Sequence, residues 1–114
     1  MVLPDLVKAR IEQQLTAYCE RRVPLDVRHL MRLAFKVRDD QVTLFEERVV
    51  HDRHDQWVEV PIARFRFEPD SHTWTLDCCD QNGRWLVYRH AEPARDLGAL
   101  LHAVELDVTR IFWG

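Results

Sequence analysis

The chain has 114 residues, which is enough for one domain with a single hydrophobic core. A hydrophobic share of 46% and a charged share of 31% are typical of a soluble globular protein, and a formal net charge of −3 opposes general attraction to nucleic-acid phosphates. The apolar runs are too short to span a membrane, and the first residues lack the features of a secretory signal, so we expect a cytoplasmic protein. Three cysteines, two of them adjacent, favour reduced thiols over disulfides.

The first predicted element is an amphipathic helix that begins at Pro4-Asp5 and continues through Arg22. Apolar residues recur there at spacings of three and four and form one stripe: Leu6, Val7, Ile11, Leu15, Tyr18 and Cys19. Pro24 ends the helix, because the residue before a proline is disfavoured in the helical region.

Alternation of apolar and polar residues from His29 to Arg38 predicts the first strand, and Asp39-Asp40 can close a two-residue turn into the second. This turn length predicts two inner pairs, Val37 with Val42 and Phe35 with Leu44. On the outer face it pairs Lys36 with Thr43, Ala34 with Phe45, and Arg32 with Glu47. The charged segment from Val50 to Gln56 is interpreted as a loop, and residues 57–67 as a strand with a bulge near Pro61, since proline cannot donate to a ladder.

The segment from Thr73 to Arg89 predicts a hairpin around Gln81-Asn82-Gly83, because Asn-Gly between apolar strands is a strong turn signal. A two-residue turn places Trp85 and Val87 on the face of Trp74, Leu76 and Cys78. A three-residue turn instead pairs Asp80 with Arg84 and places Leu86 and Tyr88 on that face. We prefer the second register, which lets Tyr88 close the core with its hydroxyl at the rim.

A second helix follows, with Pro93 at its beginning and a stripe of Leu97, Leu100, Leu101 and Val104. The ending is interpreted as a turn capped by Asp107, with Ile111, Phe112 and Trp113 docked on the sheet or a partner. The predicted fold is α+β in one domain over residues 1–114. It has an N-terminal helix, an antiparallel meander of about five strands and a C-terminal helix, with both helices on one face of the sheet.

This order of features resembles a family of uncharacterised small bacterial proteins known as domain of unknown function 3024. The resemblance is carried by five segments and the C-terminus: Tyr18–Arg22, Val42–Glu46, Ala63–Phe67, Trp74–Leu76, Asp80–Trp85 and Ile111–Gly114. It covers nearly the whole chain and implies a stand-alone bacterial cytoplasmic protein. It implies no activity, ligand or functional residue, and Cys78-Cys79 stands where an aromatic pair is expected.

The leading functional interpretation is a non-catalytic binding or protein-interaction module whose partner is another protein or a second copy of the chain in a homodimer. The candidate binding residues are Arg32, Lys36, Phe45, Arg84 and Trp85, because isolated aromatic and basic side chains on an uncovered sheet face are typical of protein contacts. No glycine-rich phosphate loop, Gly-x-Ser-x-Gly elbow or His-Glu-x-x-His helix occurs, so common nucleotide hydrolases, serine hydrolases and zincins are not expected.

Two alternatives remain open. His51, Asp52, His54 and Asp55 are good ligand types for zinc or another divalent metal, in a metal-binding protein or a small metal-dependent hydrolase. Trp85 and nearby arginines could instead stack and neutralise single-stranded nucleic acid, although the acidic net charge opposes that partner.

Overall fold

The structure is a computed structural model that describes residues 2–50 and 52–114 and, of His54, only the backbone. In chain order the elements are helix α1 (Asp5–Arg22), a short 3-10 turn (Leu25–Val27), strands β1 (Met31–Arg38), β2 (Gln41–Val50), β3 (Arg53–Glu68), β4 (Thr73–Cys79) and β5 (Trp85–Val87), and helix α2 (Leu97–Leu106). The strands form one antiparallel sheet in the order β1-β2-β3-β4-β5. The predicted α+β fold is confirmed. Among the described helices, none has the length and apolar character needed to cross a membrane.

Helix α1 packs on the sheet through the predicted stripe, with one exception. Ile11 and Leu15 are buried, whereas Leu6 is 87% exposed, so its place in the stripe was predicted wrongly. At 100° per residue Leu6 lies about 140° around the helix from Ile11, and the buried line continues instead through Val7 to Leu3. The backbone N–H of Leu3 donates to the Asp39 carbonyl at 3.2 Å, which anchors the start of the chain beside the β1–β2 turn.

The β1–β2 hairpin has the register that its turn length predicts. Every predicted pair is present, from Arg32 opposite Glu47 to Val37 opposite Val42. Asp39 takes a positive φ of 56° in the turn, a conformation that aspartate tolerates better than most residues. Strand β1 begins at Met31, two residues later than expected.

Strand β3 is longer than predicted and contains the predicted bulge. It begins at Arg53, and β2 continues through Val50, so the loop interpretation was wrong for Val50 and for residues 53–56. Trp57 lies opposite Val49, and after a register shift Arg53 lies opposite Val50. Exposed polar side chains do not prevent the backbone from taking an extended conformation. A second shift places Phe45 opposite Pro61 and Leu44 opposite Ala63, which leaves Ile62 as the extra, buried residue.

The β4–β5 hairpin has the three-residue turn. Cys78 lies opposite Leu86, the Asp80 N–H donates to the Arg84 carbonyl at 2.8 Å, and Gly83 has a φ of 78°. Tyr88 is buried and its hydroxyl accepts a hydrogen bond from Thr109, as expected of a rim tyrosine. Leu86 is 50% exposed and does not join the core as predicted, because the three-residue edge strand β5 offers little cover.

Helix α2 begins later than Pro93 suggested. Ala94 pairs with Trp74 through two backbone hydrogen bonds before the helix starts, so the chain is still extended after the proline. The Asp96 carboxylate then caps the helix by accepting from the Gly98 N–H at 2.9 Å. Helices α1 and α2 contribute to the same hydrophobic core on one side of the sheet, as predicted.

The C-terminal segment docks through Asp107, as predicted in part. The Asp107 carboxylate accepts from the backbone N–H groups of Phe112 and Trp113 at 3.0 and 2.8 Å. Phe112 is buried, and the Trp113 indole donates to the Val104 carbonyl at 3.0 Å. Ile111 stays 40% exposed and does not dock.

Candidate interaction surface

The side of the sheet opposite the two helices, called the outer face below, is the candidate functional surface. Alternation along each strand assigns its residues, since a side chain and its cross-strand partner share a face. They are Arg32, Ala34, Lys36 and Arg38 on β1, Gln41, Thr43, Phe45 and Glu47 on β2, Trp57, Glu59, Arg64, Arg66 and Glu68 on β3, Thr75 and Asp77 on β4, and Trp85 and Val87 on β5. Within the described ranges no helix covers this face, so its side chains are available to a partner except for Phe45 and Asp77, which are buried.

Three aromatic rings on the outer face each lie beneath a cationic side chain. The Arg32 guanidinium carbon lies 3.8 Å from the Trp57 ring centroid, and that of Arg64 lies 5.0 Å from the Trp85 centroid. The Lys36 ammonium lies 4.9 Å from the centroid of the buried Phe45 ring. A cation over an aromatic face is attracted by the ring quadrupole, so each pair keeps both side chains in a defined position.

A buried carboxylate organises the centre of the outer face. Asp77 is 1% exposed, and its Oδ2 accepts from Arg64 Nε at 2.9 Å and from Arg66 Nε at 2.7 Å, while its Oδ1 accepts from Arg66 Nη2 at 2.9 Å. The hydrogen bond and charge of Asp77 raise the pKa of Arg66 against the opposing effect of burial. One carboxylate holds two guanidinium groups, so this trio keeps a net positive charge.

The outer face carries a small excess of positive charge, in contrast to the chain as a whole. Its cations are Arg32, Lys36, Arg38, Arg64 and Arg66, and its carboxylates are Glu47, Glu59, Glu68 and Asp77. Glu59 is paired with Lys36 at 2.9 Å, and Asp77 is buried. In the described part of the chain Arg32 and Arg38 form no ion pair. A partner therefore meets five cationic groups and three accessible carboxylates, Glu47, Glu59 and Glu68.

Four of the five candidate binding residues lie on the outer face. Arg32, Lys36, Phe45 and Trp85 share it, although Phe45 is buried beneath Lys36. Arg84 does not join them, because it lies at the exposed hairpin turn, where its Nε donates to Asp80 at 3.1 Å.

Sequence reasoning missed two parts of this surface, the stacking of Arg32 on Trp57 and the trio around Asp77. The sequence pattern that could have indicated the trio is the placement of Arg64 and Arg66 two residues apart, on one face of a predicted strand. The β3–β4 register was also needed, since Arg64 lies directly opposite Asp77 and Arg66 one diagonal step away.

Two of the four candidate metal-ligand side chains lie outside the described residues. His51 and the His54 side chain lie outside the described residues, while Asp52 and Asp55 are exposed. The described residues form no group of three potential ligands. Zinc binding by this segment stays a prediction, which the metal content of the purified protein, measured by native mass spectrometry, would test.

The two adjacent cysteines divide between core and surface, as their alternation predicts. Cys78 is buried and Cys79 is partly exposed. Burial raises the pKa of both thiols, so both are protonated at neutral pH and are weak nucleophiles. A nucleophilic cysteine needs a cationic neighbour or a helix N-terminus that lowers its pKa, and here the change has the opposite sign.

Comparison with known proteins gives one match. A family model described as Domain of unknown function (DUF3024) matches residues 3–114, so the chain belongs to this family. Comparisons with curated proteins and with solved structures gave no match.

Proposed function

We propose that this member of the DUF3024 family is a non-catalytic protein-binding module, and that its outer face binds a partner protein presenting acidic side chains. The observation that carries the proposal is the set of three aromatic rings, each covered by a cation, on a sheet face without helix cover. Tryptophan and arginine dominate the binding energy of protein interfaces, because they bury a large area and lose little side-chain entropy when already positioned.

The geometry of the arginines favours carboxylates as their ligands. The Arg32 guanidinium carbon lies 3.8 Å from the Trp57 centroid, and a guanidinium over an indole can still donate its N–H groups to a planar acceptor. Arg64 uses Nε on Asp77 and keeps both terminal nitrogens, while Arg66 keeps one. Acidic side chains on a partner would accept hydrogen bonds from these remaining N–H groups and would balance the excess of positive charge.

The same stacking disfavours single-stranded nucleic acid as the partner. A base binds such a surface by stacking on an exposed aromatic face. Arg32 and Arg64 already cover the faces of Trp57 and Trp85 on which a base would have to stack. A second copy of the chain is also a poorer match than an acidic partner, since a two-fold contact would place the cationic patch against itself.

The test compares proteins captured from a bacterial lysate by the purified wild type and by a variant carrying Arg32→Ser, Trp57→Ser and Arg64→Ser. A matched control carries Lys8→Ser and Arg21→Ser, two exposed cations on helix α1. We expect one protein retained by wild type and control, lost from the triple variant and lost at high salt. The identified protein is then titrated in purified form by calorimetry, and the triple variant should bind at least about a hundredfold more weakly.

Two further measurements distinguish an acidic protein partner from a second copy of the chain and from nucleic acid. Light scattering over a range of concentrations would reveal a dimer, and a dimer abolished by the triple variant would assign the outer face to self-association. Nuclease treatment of the captured material would reveal nucleic acid. Either result, or a captured protein that binds the triple variant equally well, would contradict the proposal.

A further inference from the structure

A separate cavity lies on the helix side of the molecule, remote from the outer face. It has a volume of about 300 Å³ and opens between helix α1, the turn that joins β3 to β4, and the start of α2. This volume is at the lower end of the range found for small-molecule sites. The inference drawn from it does not depend on the proposed function.

The floor of the cavity is apolar and aromatic. Phe67 and Trp74 lie at its base with their ring centroids 5.0 Å apart, and Ile11 and Leu97 complete it. All four belong to the hydrophobic core, so the floor is a fixed surface of packed side chains. Each of the four exposes only 1–3% of its surface, so a flat apolar group would contact the outer edge of this packed cluster.

The rim carries basic side chains from three separate elements. Arg10 comes from α1, His72 from the β3–β4 turn, and Arg95 from the residues just before α2. His72 has a φ of 52° and lies edge-on to the Phe67 ring, with centroids 5.7 Å apart. Histidine is among the residues that adopt a positive φ more readily than most, and here this conformation places the imidazole beside the Phe67 ring.

Among the described residues, neither arginine at the rim has a hydrogen-bond or ion-pair partner. In the described part of the chain, Arg10 and Arg95 form no ion pair and donate no side-chain hydrogen bond. The one carboxylate at the rim, Asp96, uses its Oδ1 to accept from Gln14 and from the Gly98 N–H, both at 2.9 Å. One carboxylate between two guanidinium groups leaves a net positive charge above an apolar floor.

We infer that this cavity binds a small organic carboxylate whose body is flat and apolar. The apolar body would lie over Phe67 and Trp74, and the carboxylate would accept hydrogen bonds from Arg10 and Arg95 at the mouth. Inorganic anions lack the apolar body and organic cations have the wrong charge, so both should bind much more weakly. The cavity distinguishes these classes because a ligand needs both a negative charge near Arg10 and Arg95 and a flat apolar body near Phe67 and Trp74.

The experiment records ¹H–¹⁵N spectra of the full chain during titration with benzoate and phenylacetate, with phenylethylamine and inorganic phosphate as comparison probes. The two carboxylates should produce saturable shifts in residues around the cavity, and the comparison probes should not. Arg10→Gln and Arg95→Gln should each weaken binding about tenfold, the usual loss for a charged hydrogen-bond donor at a partly exposed site. Arg89→Gln, at an exposed arginine outside the cavity, should leave binding unchanged.

A second pair of variants tests the cavity without changing charge. Val7 lines the cavity and Leu6, its neighbour, is exposed to solvent. Val7→Trp should fill the space and abolish binding, whereas Leu6→Trp should not affect it, and circular dichroism checks that both variants fold. The inference is overturned if neither carboxylate saturates at millimolar concentration, if phenylethylamine binds equally well, or if Val7→Trp binds as the wild type does.

Discussion

The two faces of the sheet have the same alternating backbone but are covered in different ways. On the inner face, Val42, Leu44 and Phe65 are fully buried beneath two helices. On the outer face, the most buried side chain is the carboxylate of Asp77, which is covered by the arginines it binds. Helices remove apolar surface from water, whereas long cationic side chains cover the outer face with their stems and keep their charged ends exposed.

Because of this difference, we expect the inner face to determine the stability of the fold and the outer face to determine binding. Burial of apolar groups is the dominant favourable term in folding, so the inner face should carry most of the free energy of unfolding. Exposed ion pairs and cation–aromatic contacts contribute about 1 kcal/mol or less each, which allows the outer face to change without loss of the fold. Substitutions on the two faces should therefore have unequal effects.

The largest contrast should come from two tryptophans on neighbouring strands. Trp74 is 2% exposed on the inner face, and Trp74→Ala should lower the free energy of unfolding by about 3–5 kcal/mol. Trp85 is partly exposed on the outer face, and Trp85→Ala should cost about 1 kcal/mol. Urea unfolding followed by circular dichroism measures both, and equal losses would show that the outer face is as structural as the inner one.

The next effect concerns the two acidic partners on the outer face. Asp77→Ala leaves Arg64 and Arg66 without their shared acceptor, and because both arginines keep some contact with water the cost should be about 2–3 kcal/mol. Glu59→Ala removes an exposed pair with Lys36 and should cost less than about 1 kcal/mol. The same unfolding assay applies. A loss below 1 kcal/mol for Asp77→Ala would mean that the trio is not an organising centre.

A smaller effect on the free energy of unfolding is expected where Asp107 holds the C-terminal segment. Asp107→Ala removes the acceptor for two backbone N–H groups and places alanine at a φ of 45°, so it should cost about 1–2 kcal/mol. Asp107→Asn keeps one side-chain oxygen and tolerates this conformation, and it should cost less. Hydrogen exchange at Phe112 and Trp113 should accelerate more in the alanine variant. Identical exchange in both variants would contradict the role assigned to the carboxylate.

The smallest effect is a dependence of stability on pH. The hydrogen bond from Gln14, followed by that from the Gly98 N–H, lowers the pKa of Asp96 below its ordinary value of about 3.9. A carboxyl whose folded pKa is lowered stabilises the fold above its unfolded pKa, and this contribution is lost as the pH falls through the folded pKa. Between pH 5 and about pH 3 the wild type should therefore lose more stability than Asp96→Asn, which keeps a cap but cannot titrate. Parallel curves would exclude this contribution.

Local patterns predicted much of the strand pairing. The β1–β2 register followed from a two-residue turn between alternating strands, and the β4–β5 register from Gln81-Asn82-Gly83 with an acid–base pair beside it. The bulge near Pro61 followed from a change of parity along β3. These features depend on residues close in sequence, where turn length and side-chain alternation leave few alternatives.

The errors arose where neighbouring elements determine the result. Residues 53–56 look like a loop, but β3 includes them, and β2 extends far enough for Val50 to pair with Arg53. Leu86 has the parity of a core residue, yet the short edge strand leaves it half exposed. In both cases, the length and position of another segment outweighed the local pattern.

The sequence by itself determined the order of elements, the β1–β2 register and most of the inner face, because backbone geometry and apolar periodicity act over short distances. For the β4–β5 hairpin it left two registers, and the structure decided between them. Only the tertiary structure decided which charges and rings meet. The shared carboxylate of Asp77, the stacking of Arg32 on Trp57, and the convergence of Arg10 and Arg95 on one cavity each join different elements. Such contacts depend on strand order and helix placement in space, and no spacing along the chain encodes them.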